Sequence, residues 1–270
     1  MEVIILPNLE KAALLTARII EKELRAKPEL VMGMATGRTM ECVYKYLVEM
    51  HRKENLDFCR CRTFNLDQYI GLPSDHPKSY LQYMQEQFFN LVNIDPTCTH
   101  LPNGMASDLR WECRSYEALI QAAGGIDVQL LGIGASGHIG FNEPISALAS
   151  RTREKALTPS TREQNAELFG GDVNKVPNRA ITMGVGTILE AKRCILVATG
   201  HAKASILAKA VEGPITSMVT ASALQLHPNC QVIVDEDAAS LLQGREYYRW
   251  IFQNEVEWVE FQDMDALDIR

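Results

Sequence analysis

The sequence predicts an α/β fold built on a single doubly wound, mostly parallel sheet. Three observations carry that expectation. Short apolar runs alternate with longer segments whose apolar residues recur at helical spacing, the order that βαβ units produce. No Gly/Ser/Pro-rich linker or internal repeat interrupts the 270 residues, so one domain over 1–270 is the economical reading. Residues able to carry chemistry also fall just after the apolar runs, where open α/β sheets gather their sites.

Residues 1–7 read as the first strand. Residues 9–24 carry apolar side chains at helical spacing, with Asn8 placed as the N-cap. A strand over 30–34 runs into Ala35-Thr-Gly-Arg-Thr39, and a helix is expected over 40–54. The next strand, 61–66, ends at Asp67 and is followed by turn-rich residues 71–77. Helices are expected over 79–91 and 107–123, the second stopped by Gly124-Gly125. Further strands fall at 128–131, 181–183, 194–198 and 231–235, with helices near 187–191, 202–211 and 236–242. Residues 263–270 read as a flexible acidic tail.

An apolar fraction of 46% suffices for a substantial core. The net charge is −7 and no Lys/Arg run exceeds two residues, which argues against a nucleic-acid or acidic-membrane surface. A small anionic substrate would therefore be held by a local cluster. The seven cysteines are odd in number and scattered, as reduced thiols of a cytoplasmic protein would be. Cys59-Arg-Cys61 is too tight for a zinc knuckle, so no metal is expected. The start lacks a basic region followed by a long apolar one, and no apolar window approaches bilayer length.

Gly132-Ile-Gly-Ala-Ser-Gly-His-Ile-Gly-Phe-Asn-Glu-Pro144 is the most informative stretch. Its glycines allow close backbone approach, His138 can change charge near neutral pH, and Glu143 could orient the imidazole. Gly132, Gly134 and Gly137 satisfy a dinucleotide fingerprint, but Gly140 and Pro144 interrupt the helix that such a loop must open into. No nucleotide cofactor is expected. Thr36-Gly-Arg-Thr39 lies between a strand and a helix, where free N–H groups suit a phosphate, although a plain capping turn would look the same. Lys203, after Thr199-Gly-His-Ala, opposes a helix dipole and makes sense as a phosphate partner. Asp67 stands directly after a strand and could equally be a helix cap. As a set, these residues suggest proton shuttling on a small phosphorylated molecule.

Several stretches resemble the glucosamine-6-phosphate deaminase/isomerase family over about residues 1–243. They are Thr63-Phe-Asn-Leu-Asp-Gln-Tyr-Ile-Gly-Leu72, His76-Pro-Lys-Ser-Tyr80, Gly137-His-Ile-Gly-Phe-Asn-Glu-Pro144, Ser150-Arg-Thr-Arg153, Ala180-Ile-Thr-Met-Gly-Val-Gly186 and Ala223-Leu-Gln-Leu-His-Pro228. The resemblance implies a Rossmann-like fold of the sugar-phosphate isomerase type. It also implies conversion of D-glucosamine 6-phosphate and water to D-fructose 6-phosphate and ammonia, without metal or nucleotide. His138, oriented by Glu143, would open the sugar ring, and Asp67 would move the C2 proton to C1. Thr36, Gly37, Arg38, Thr39 and Lys203 would hold the phosphate. Ser146, Arg153 and Lys155 match polar positions of the regulatory site found in hexameric members, which implies a homo-oligomer. The stretch around Arg153 reads equally as an interface or a structural loop.

The chain also departs from the family pattern. Ser136 stands where an acidic residue or Asn usually helps to orient the histidine, and Gln68 where Glu is usual. Glu167 replaces a phosphate-binding arginine, while Arg38 and Met40 replace a small residue and a proline in the phosphate turn. Arg38 is expected to supply the guanidinium lost at 167 and to pair with Glu167. The departures keep two other readings open: a relative acting on galactosamine 6-phosphate or a fructosyl-amine phosphate, and a weakly catalytic sugar-phosphate sensor.

Overall fold

Seven strands form the central sheet, and every neighbouring pair in it runs parallel. The computed structural model describes residues 1–263 and 269, so most of the expected acidic tail lies outside the described residues. In chain order the elements are β1 (Glu2–Leu6), α1 (Leu9–Ala26), β2 (Val31–Met34), α2 (Arg38–Glu54), β3 (Arg62–Asn65), β4 (Asp67–Tyr69), α3 (Tyr80–Gln87), β5 (Thr99–His100) and α4 (Leu109–Ala122). There follow β6 (Val128–Leu131), β7 (Arg153–Ala156), α5 (Pro159–Asn165), β8 (Arg179–Thr182), α6 (Val185–Leu189), β9 (Arg193–Ala198), α7 (Ala204–Val211), β10 (Cys230–Asp235) and α8 (Arg245–Asn254). The sheet order is β1-β10-β9-β6-β2-β3-β5.

The expected doubly wound parallel sheet is present. β2, β6 and β10 are buried along their whole length, which is why they read as continuous apolar runs rather than alternating ones. Helix starts follow their caps. The Asn8 side chain accepts from the Lys11 N–H at 2.9 Å, and Asp108 accepts from the Trp111 N–H at the same distance. The segment expected as a helix over 79–91 is α3 followed by a 3₁₀ turn at Phe89–Leu91, and 236–242 holds only a 3₁₀ turn, Ala238–Leu241. In the latter, the Asp235 carboxylate accepts from the Ala238 N–H and pins the turn to the end of β10.

A second sheet, antiparallel with the order β4-β8-β7, was not expected. Asp67 therefore opens a short strand and is not a helix cap. Asp67 and Arg153 both pair with Thr182, so these three residues form one row across the small sheet. Gly184, just past β8, lets the chain pass the Ser150 backbone: a Cβ there would lie 1.9 Å from the Ser150 carbonyl oxygen.

β1 is one edge of the large sheet, and α8 packs along it. Tyr248 and Phe252 of α8 rest on the main core, and Arg245 and Arg249 pair with Glu236 just after β10. Among the described residues all seven cysteines are free thiols, and no helix is long and apolar enough to cross a membrane.

The Gly184→Ala variant should lose about 1–3 kcal/mol of stability through this backbone clash, read as a lower urea midpoint.

Candidate active site

The candidate site lies where β4, the 132–145 loop after β6, and the turns after β2 and β9 meet. Its centre is organised by the Asp67–Thr182–Arg153 row. The Thr182 hydroxyl accepts from the Phe141 N–H at 3.0 Å, and Arg153 Nη1 donates to the Asn142 side-chain carbonyl at 2.7 Å. Asn142 in turn donates to the Ile139 and Met183 carbonyls, both at 2.8 Å. Asp67 lies against Gly140: a Cβ on that glycine would come within 3.6 Å of Asp67 Oδ2 and 2.8 Å of Thr182 Oγ1. Gly140 has φ +54, so both space and backbone favour glycine there.

Burial pushes the Asp67 carboxyl up to about 7. Glu143 goes the other way. Burial raises it, but hydrogen bonds from His138, Thr161 and the Thr158 backbone, with the charge of His138, outweigh burial and bring it down to about 2. An ionised carboxylate only accepts, so when the His138 ring is neutral its proton sits on Nδ1, which lies 3.3 Å from Glu143 Oε2 and 2.9 Å from Ser136 Oγ. Nε2 is left as the basic edge. That ring lies directly over Gly134, where a Cβ would be 2.0 Å from Nε2. Thr158 donates to Glu143 Oε1 from both its N–H and its hydroxyl, each at 3.2 Å.

The far side of the loop is fixed by the segment before β10. The Ala221 N–H donates to the Gly137 carbonyl at 2.9 Å, and the Thr220 hydroxyl donates to the Asn142 carbonyl at 2.8 Å. The Ile145 N–H donates to the Ser217 carbonyl at 2.8 Å. Ile145 is held at φ +66, a left-handed conformation that costs a β-branched residue about 1–2 kcal/mol.

The anion-friendly turns flank this centre. Gly37, at φ +117, precedes α2, and its N–H donates to the Tyr83 phenol at 3.2 Å. The Thr36 hydroxyl hydrogen-bonds the Tyr80 phenol. Arg38 pairs with Glu167, as expected, and Glu167 sits in the 3₁₀ turn Ala166–Phe169 that continues from α5. Lys203 lies in the 3₁₀ turn before α7; burial lowers its ammonium pKa, and Nζ donates to the Ile133 carbonyl at 2.7 Å. Gln68 is buried and its side-chain carbonyl accepts from the Tyr69 and Tyr80 N–H groups.

Of the expected regulatory residues, Ser146 is buried just after Glu143, while Arg153 and Lys155 share one side of β7. The sequence reading missed the loop-holding parts of Thr182, Arg153 and Thr158. Gly134 was read among the glycines that allow close backbone approach, and the group that approaches it is the His138 imidazole.

A family model described as glucosamine-6-phosphate isomerases/6-phosphogluconolactonase matches residues 8–233. The chain belongs to that family. A protein of Arthrobacter sp. (strain FB24) named glucosamine-6-phosphate deaminase is 47% identical over 258 residues, 96% of this chain and 99% of that one. A protein of the same name from Hahella chejuensis is 48% identical over 93% of this chain and 95% of that one. Among solved structures, a glucosamine-6-phosphate deaminase described as monomeric is 44% identical, with a TM-score of 0.87 over 89% of this chain and 100% of that one. A 6-phosphogluconolactonase from Trypanosoma cruzi is 17% identical, with a TM-score of 0.72 over 90% of this chain and 97% of that one, and shares the fold.

The Asp67→Asn variant tests the buried carboxyl. The folded protein holds the Asp67 proton up to about 7 whereas an unfolded aspartate releases it near 3.8, so stability falls as pH rises between these values and stays low above them. At pH 8 the variant should be more stable than the parent by up to a few kcal/mol in urea unfolding, and at pH 3 the gain should vanish. Gly134→Ala should displace the imidazole without unfolding the chain. Native near-UV circular dichroism with altered His138 imidazole chemical shifts in NMR would check this.

Proposed function

We propose that the protein converts D-glucosamine 6-phosphate and water to D-fructose 6-phosphate and ammonia. The observation that carries this reading is the buried Asp67, its carboxyl raised to about 7, against the loop that holds the His138–Glu143 pair. The names of the relatives at 47% and 48% identity support it.

The chemistry follows from the two carboxylates. His138 Nε2, with Nδ1–H directed to Glu143, takes the proton from O1 of the pyranose and returns it at O5, opening the ring. Asp67 then removes the proton from C2 while O1 takes one from the substrate's own ammonium, giving an enolamine, and Asp67 delivers its proton to C1, giving a protonated 2-imine. Water adds to the imine carbon and ammonia leaves, so atoms balance over the cycle. A carboxyl near 7 suits this exchange, because the base must accept and release a proton at almost equal cost. Thr36, Gly37, Arg38, Thr39 and Lys203 hold the phosphate and align C1 and C2 with Asp67. Such positioning supplies several kcal/mol of a barrier. Ser136 accepts from His138 Nδ1–H alongside Glu143 and so keeps the ring in place.

Ammonia and fructose 6-phosphate should appear in equal amounts from D-glucosamine 6-phosphate, and faster than from galactosamine 6-phosphate or a fructosyl-amine phosphate. Asp67→Asn should lower kcat by about 10²–10⁴-fold. For the parent, kcat/KM should rise with pH through about 7 as Asp67 ionises. Release of ammonia from another substrate alone would move the assignment to that substrate, and release from none would leave the sensor reading.

A further inference from the structure

Three of the donors that would meet a phosphate in this site are already engaged by the protein itself. The Gly37 N–H is held by Tyr83, whose own hydroxyl donates back to the Gly37 carbonyl at 3.0 Å. Lys203 Nζ is on the Ile133 carbonyl. The Arg38 guanidinium is taken by Glu167, a carboxylate with the charge sign and acceptor geometry of a phosphoryl group.

These two side chains are 78% and 75% exposed, so solvent screens their attraction and the pair can exchange partners readily. Glu167 also belongs to a segment that touches the residues framing the site at two other points. Its first residues carry Thr158, which donates to Glu143, and Asn165 Nδ2 donates to the Tyr69 hydroxyl at 3.1 Å on the strand that begins with Asp67. Phe169 packs edge-on against the same tyrosine ring at 5.7 Å.

We infer that Glu167 is an internal anion that competes with the substrate's phosphate for Arg38, so that this exchange sets the affinity of the site for phosphosugars. The inference rests on the phosphate lying in the turn at Thr36–Thr39. When the phosphate takes the guanidinium, Glu167 is released and repelled, and the segment from Thr158 to Phe169 is relieved of its tether to α2. Arg38 is then a binding residue and Glu167 a specificity-determining one, selecting for dianionic groups strong enough to displace a carboxylate.

Calorimetric titration with inorganic phosphate reads this without turnover, alongside KM for D-glucosamine 6-phosphate. Glu167→Gln should bind phosphate about two- to fivefold more tightly than the parent, with a matching fall in KM. Arg38→Ala should weaken both by a similar factor or more. In the Arg38→Ala background the gain from Glu167→Gln should shrink by more than half. Unchanged or weaker phosphate binding by Glu167→Gln overturns the inference, as does a gain that survives by more than half without Arg38. Absence of ammonia release by the parent would instead refute the proposed reaction and leave the calorimetric result standing.

Discussion

Asp67, Thr182 and Arg153 stand side by side in the small antiparallel sheet, and each meets a different residue of the loop 140–142. That row is the constraint on which the site depends. The loop is glycine-rich and has no helix or strand of its own between β6 and β7, so it would otherwise sample many shapes. Hydrogen bonds of about 1 kcal/mol each, from Thr182, Arg153, Asn142 and Thr220, turn it into a single conformation. Because His138 and Glu143 are in the same loop, fixing 140–142 also fixes the imidazole. A residue in the sheet thereby governs one it does not touch.

The fold then separates two carboxylates by environment. Asp67 is buried and raised to about 7, whereas donors around Glu143 bring it down to about 2. Such divergence suits the proposed mechanism, in which the first carboxyl exchanges protons and the second stays charged and orients. Keeping Asp67 buried works against stability, and the cost is tolerable because the same row supplies the loop's hydrogen bonds. In the proposed mechanism, function and a local loss of stability come from one residue.

Six strands of the large sheet were legible because they are largely buried and mainly apolar, whereas β5, two half-buried residues, was not. β6 was expected over 128–131 and is found there. Of the small sheet only β8 was legible, as the strand expected over 181–183, and its antiparallel pairing was not. β4 has three residues and β7 is Arg-Glu-Lys-Ala, so neither shows alternation or an apolar run, and a pairing that joins Asp67 to Thr182 leaves no local mark. The site was readable in its residue types, as Asp67, His138 and Glu143 each follow a strand. What holds them was not, because Thr182 and Arg153 look like ordinary polar residues of a strand. The pairing of Arg38 with Glu167 could be expected because two departures of opposite charge suggested each other.

The last helix bears on how the protein behaves outside its chemistry. α8 falls beyond residue 233, where the family match ends, yet it is the element that packs along β1. A parallel sheet presents unsatisfied N–H and C=O groups at its margins, and proteins blunt those margins to avoid edge-to-edge aggregation. At the opposite margin, β5 is only two residues long and offers almost nothing to pair with. One edge strand therefore has a helix packed against it and the other is short.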